Sequence, residues 1–112
     1  MAHYLVQVAY TPAAWAAMVD RPHDRSAAVR GPIENLGGKM ERFWMSFGDY
    51  DVVGIVEMPD NISAGAFSVA ISAGGACRAV KTTPLLSMEE SIEAMKRAAK
   101  CGYKPATALA GA

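Results

Sequence analysis

The chain reads as an α+β domain of order β-α-β-β-α-β with an added C-terminal helix. Three observations predict it. Gly48-Asp49-Tyr50-Asp51 is a tight turn that runs straight into the apolar stretch Val52 to Met58, which stops at Pro59-Asp60. That is a hairpin strand followed by a helix start, because proline cannot donate to a ladder and aspartate caps helices well. The pairs Gly37-Gly38 and Gly74-Gly75 each end a helical stretch and precede a strand, since glycine tolerates the left-handed backbone of a helix end. Ser87 and Glu90 have the spacing of a capping box, which opens a last helix. Right-handed crossovers then give a four-stranded antiparallel sheet in the order 4-1-3-2, with helices on one face.

The elements follow in sequence. His3 to Tyr10 is rich in aromatic and β-branched residues and is the first strand; both its faces are largely apolar. Thr11-Pro12 supplies an N-cap and a proline at the first helical position. The helix Ala13 to Val19 is interrupted at Asp20-Arg21-Pro22, with Trp15, Met18 and Val19 expected to pack. A second helical piece from about Asp24 carries Val29, Ile33 and Leu36 on one face. Pro32 within it is expected to kink it or delay its start. Lys39 to Phe47 is the second strand, where alternation sends Trp44 to one face and Phe43, Met45 and Phe47 to the other. Asp51 to Met58 is the third strand. A helix from Asn61 to Ala73 is expected to pack through Ile62, Ala66, Val69, Ala70 and Ala73, and Ala76 to Thr83 is the fourth strand. The last helix has Met88, Ile92, Met95 and Ala99 on its apolar face. Its acidic residues crowd the start and its basic residues the end, as the helix dipole favours.

At 112 residues the chain suits one domain, expected over residues 1–100, with a tail from 101 to 112. Apolar residues at 52% exclude a disordered chain. Eleven basic side chains balance eleven acidic ones, which argues against non-specific nucleic-acid binding. Cys77 and Cys101 form no CxxC pair and read as reduced thiols of a cytoplasmic protein, Cys77 buried and Cys101 exposed. The start of the chain has no signal-type pattern, and no apolar run is long enough for a bilayer, so neither membrane nor nucleic acid is an expected partner.

The chemistry-bearing residues are few. Asp49, Tyr50 and Asp51 admit two readings: two carboxylates flanking a phenol, or a turn whose residues serve the backbone. Glu57 shares side-chain parity with Asp51, Val53 and Ile55. In a half-buried strand it would serve as a general base, and as a strand-end residue it would be solvated or paired with Arg42 or Lys81. Gln7 lies mid-strand and needs partners if buried. His3 opens the first strand and His23 lies in a proline-rich break; two histidines without a fixed spacing form no metal signature. No cofactor is expected. No nucleophile–base pair and no phosphate-binding glycine loop is visible. A ligand site, if present, is expected at His3, Gln7, Tyr50, Asp51 and Glu57.

Several of these segments carry a resemblance. Tyr4-Leu5-Val6, Tyr10-Thr11, Glu34-x-Leu36-Gly37-Gly38, Gly48-Asp49-Tyr50-Asp51-Val52-Val53, Glu57-x-Pro59-Asp60, Ala73-x-Gly75 and Val80 to Leu85 together resemble the GYD-domain family over residues 3 to 86. The resemblance implies small bacterial proteins with a ferredoxin-like fold, related to the dimeric α/β-barrel superfamily, and dimerisation through the sheet. It does not imply an enzyme. Proteins sharing only the fold include cofactor-free monooxygenases, haem enzymes and muconolactone isomerases, so fold alone does not choose. The leading expectation is an oligomeric binding module for a small molecule or protein. The rival is a cofactor-free monooxygenase- or isomerase-like enzyme with an apolar pocket, and a haem protein would need His3 facing a cavity.

Overall fold

The computed structural model describes residues 1–109. Its elements are β1 (Ala2–Tyr10), α1 (Pro12–Asp20), α2 (Arg25–Asn35), β2 (Lys39–Met45), β3 (Val52–Met58), α3 (Asn61–Ala73), β4 (Cys77–Leu85), α4 (Met88–Ala98) and α5 (Ala106–Leu109). The strands form one antiparallel sheet in the order β2-β3-β1-β4, which is the order expected from the sequence. The fold is α+β and ferredoxin-like.

Capping sets the helix starts. The Thr11 hydroxyl accepts from Ala14 N–H, the Asp24 carboxylate from Ser26 N–H, and the Asp60 carboxylate from Ser63 N–H. The Ser26 hydroxyl and then its N–H hold Asp24, and the Ser63 N–H holds Asp60, below the ordinary carboxylate range. The Ser87–Glu90 capping box is complete, with Ser87 N–H donating to Glu90 and Glu90 N–H to Ser87. Pro32 does not delay α2, which starts at Arg25 and runs through it; the proline lies late in the helix, where few turns remain to be disturbed.

The core lies between the sheet and the helices. Tyr4, Val6 and Val8 of β1, Met40 of β2 and Val56 and Met58 of β3 meet Ile33 of α2 and Ala64 and Phe67 of α3. The Tyr4 hydroxyl donates to Asn61 at the first position of α3, and the hydroxyls of Ser68 and Thr82 share a hydrogen bond. These two links fix how α3 is rotated on the sheet.

That rotation corrects the expected packing stripe. Ala64 and Phe67 face inward, with Ser68 and Ile71 half-buried beside them, while Ile62 is 84% and Val69 69% exposed. Both sides of α3 are apolar, so periodicity alone did not choose between them. The bulk of Phe67 and the two polar links did. Val19 of α1 is also exposed rather than packed.

Strand limits shift slightly. β2 ends at Met45, because Ser46 N–H donates to the Asp51 carbonyl and the Ser46 hydroxyl to the Tyr50 carbonyl, closing the hairpin. Phe47 is left exposed beside Gly48, whose φ of 146° is a backbone that side chains rarely adopt. β4 runs two residues past its expected end, and α5 supplies one helical turn within the tail. Residues 110–112 of that tail lie outside the described residues.

Candidate functional site

Helices α2 and α3 cover one face of the sheet. Side chains paired directly across antiparallel strands share a face, so the register gives the composition of the other. His3, Leu5 and Gln7 of β1 lie beside Glu57, Ile55 and Val53 of β3 and beside Leu85, Thr83 and Lys81 of β4. Arg42 and Trp44 of β2 continue the surface beyond Ile55 and Val53. The Arg42 guanidinium stacks over the Trp44 ring at 5.1 Å, a favourable cation–π arrangement. The aliphatic side chains on this face are half-exposed, and Trp44 is 47% exposed.

At one end of this face three side chains converge. His3 Nε2 lies 3.1 Å from Glu41 Oε1 and 3.4 Å from Glu57 Oε1. His3 and Glu57 are direct cross-strand partners. Glu41 joins them because the β2–β3 register shifts between Met40 and Arg42. A bulge of this kind re-aims one side chain. Glu57 is therefore held by His3, and neither Arg42 nor Lys81 forms an ion pair with it among the described residues.

The other expected site residues are placed elsewhere. Asp51 shares parity with Glu57, but its carboxylate accepts from Tyr10 N–H at 2.8 Å and from the Trp15 indole N–H at 3.2 Å. Trp15 also meets Tyr10 edge-on, with ring centroids 5.4 Å apart. Asp51 thus ties the hairpin to the end of β1 and to α1. Tyr50 borders a shallow hollow with Gly48, Asp49, Arg78 and Ala79, across which Arg78 donates to the Asp49 carbonyl at 3.4 Å. Val8, whose carbonyl accepts from Asp51 N–H, is five residues from His3, so the two ends of the sheet lie roughly 16 Å apart along β1. Gln7 lies between them, opposite Val53 and Lys81. The structure joins His3 to Glu57 and separates both from Tyr50 and Asp51.

Asp51→Ala would leave the Tyr10 and Trp15 donors without their acceptor. The expected loss is about 1–2 kcal/mol of stability, the cost of unpaired, partly buried donors. Urea denaturation measures it, and an unchanged midpoint would show that water replaces the carboxylate without penalty.

Glu41 is the residue that reading along the sequence missed. Strand alternation puts it opposite in parity to Trp44, and only the bulge brings it beside His3. Cys77 is half-buried, burial raises its thiol pKa above the ordinary range, and Arg25 opposes that shift only in part. Cys101 is exposed, and neither cysteine is in a disulfide. Among the described residues no helix is long and apolar enough to cross a membrane.

These features define a ferredoxin-like α+β domain with an uncovered sheet face and a His–Glu–Glu cluster at its rim. The family model of the GYD domain matches residues 4–95, and the chain belongs to the GYD domain family. Comparison with curated proteins gives no match.

Proposed function

We propose that the chain is a cytoplasmic, self-associating binding module in which copies pack together through the open face of the sheet. The observation that carries this is the composition of that face. Leu5, Val53, Ile55, Leu85 and Trp44 form a half-exposed apolar surface, and among the described residues no element packs over it. Apolar patches that combine several strands are uncommon on monomers and mark interaction surfaces. The two free thiols accord with a reducing compartment.

The space between sheet and helices supports a module over an enzyme with an internal pocket. It is filled by Tyr4, Val6, Val8, Ile33, Met40, Val56, Met58, Ala64 and Phe67, and no polar side chain is buried among the described residues. His3 faces Glu41 and Glu57 on the open side rather than an internal cavity, as a haem protein would need. A small-molecule or protein ligand would then meet the rim of the open face, where the polar groups gather.

Ile55 sits at the centre of this face, on β3 between Leu5 of β1 and Arg42 of β2. Ile55→Lys places a charge in the proposed interface while leaving the helix-side core intact. The expected result is a single-chain mass on size-exclusion chromatography with an unchanged circular dichroism spectrum. An Ile55→Lys protein that elutes at the same assembled size as the parent would contradict this interface.

A further inference from the structure

We propose that His3, Glu41 and Glu57 form a binding site for a divalent first-row transition ion, with zinc, manganese or iron(II) as the class of ion it would take. The three side chains come from three adjacent strands, and one donor atom from each lies within 4.8 Å of the other two. Metal–nitrogen and metal–oxygen bonds in such sites are about 2.0–2.2 Å. Two ligands on one ion at that bond length are then about 3.0 Å apart at an octahedral angle and about 3.4 Å apart at a tetrahedral one. The distances from His3 Nε2, 3.1 Å and 3.4 Å, fall at these values. Two of the three donor separations therefore already match those of a shared ion, and the third, between Glu41 and Glu57, is within 4.8 Å.

The electrostatics point the same way. One ring nitrogen faces two carboxylates. A single N–H can be donated well to only one of them, whereas a cation between the three satisfies both. Among the described residues the only ion pairs of Glu41 and Glu57 are those to His3. Lys39 lies opposite Glu57 in the register without forming an ion pair with it. Glu90 on α4, close enough to His3 to feel its charge, has its carboxylate engaged by Ser87 N–H in the capping box.

Donor chemistry selects the ion. Calcium and magnesium prefer all-oxygen sites and copper(I) prefers sulfur, while a mixed imidazole–carboxylate set suits zinc, iron and manganese. Three protein donors leave positions free for water or an oxygen-bearing ligand, as in sites that act rather than only brace a fold. The side chains of His3, Glu41 and Glu57 are 45%, 33% and 22% exposed, which leaves an ion a path to the site. Donors on paired strands are also held more rigidly than donors on loops. The site lies within one chain and does not depend on self-association.

The test is calorimetric titration of the chelator-stripped full chain with zinc chloride alone. The expected result is one saturable zinc per chain. His3→Ala and Glu57→Gln should each weaken it by about tenfold or more, and His23→Ala should leave it unchanged. Should Glu57→Gln fail to fold by circular dichroism, Glu41→Gln, in the bulge, takes its place with the same expected loss. X-ray absorption on the zinc-loaded protein should show nitrogen and oxygen ligands only. Absence of saturable binding, equal affinity in His3→Ala, or sulfur ligation through Cys77 or Cys101 would each overturn the site. Light scattering on the same samples reads the assembly separately, so zinc bound by a monomer keeps the site and refutes the interface.

Discussion

Phe67→Ala is expected to lower the free energy of unfolding by about 3–5 kcal/mol, the usual cost of deleting a buried aromatic ring. Phe67 is 2% exposed and packs in the cluster of β1, β3 and α2 side chains. The void would not close easily. Tyr4 is tied to Asn61 and Ser68 to Thr82, so α3 cannot slide inward without breaking polar links at both ends of the contact. Urea denaturation with an unchanged slope reads the loss directly. A loss below about 1 kcal/mol would mean that α3 had turned its other apolar side, Ile62 and Val69, toward the sheet. That outcome would overturn the account of what sets its rotation.

Gly38→Ala should cost about 3 kcal/mol, at the upper end of overpacking penalties. The cause is steric. A Cβ there would lie 2.5 Å from the Glu57 carbonyl oxygen, 2.5 Å from Met58 Sδ and 3.2 Å from Ile33 Cγ2. The methionine can move, but the Glu57 backbone belongs to β3 and carries the hydrogen-bonded pairing with β1. The strain therefore falls on the strand that positions Glu57 against His3. A differential scan against the parent protein checks this, and an equal melting midpoint would show that the approach of β2 to β3 is looser than the structure has it.

Much of the fold was legible because its signals are local. The turn at Gly48, the Pro59-Asp60 stop, the paired glycines and the Ser87–Glu90 box each act within a few residues, and each fixes one boundary in the structure. The rotation of α3 was not legible, because Ile62-Val69 and Ala64-Phe67 are equally apolar lines on opposite sides of one helix. Packing volume and two long-range hydrogen bonds decide between them, and neither is written in the periodicity.

The candidate site shows the same division. His3 and Glu57 stood out as polar residues on central strands, and the register makes them partners. Asp51 shares their parity but precedes the first residue of β3, so its carboxylate is free to turn to Tyr10 and Trp15. Glu41 carries the opposite warning: alternation counted from Trp44 sends it to the wrong face, and one bulge reverses that. Parity along a strand holds only where the pairing is regular.

The uncovered sheet face also has a counterpart in α4, whose Met88, Ile92 and Met95 remain largely exposed on a molecule measuring 63 × 30 × 22 Å. The most direct measurement of the proposed assembly is multi-angle light scattering on the purified chain at micromolar concentration. One chain weighs 11.9 kDa. Packing through Leu5, Val53, Ile55, Leu85 and Trp44 predicts a mass of at least twice that, falling to one chain in Ile55→Lys. A parent protein that scatters as a single 11.9 kDa chain would contradict the account.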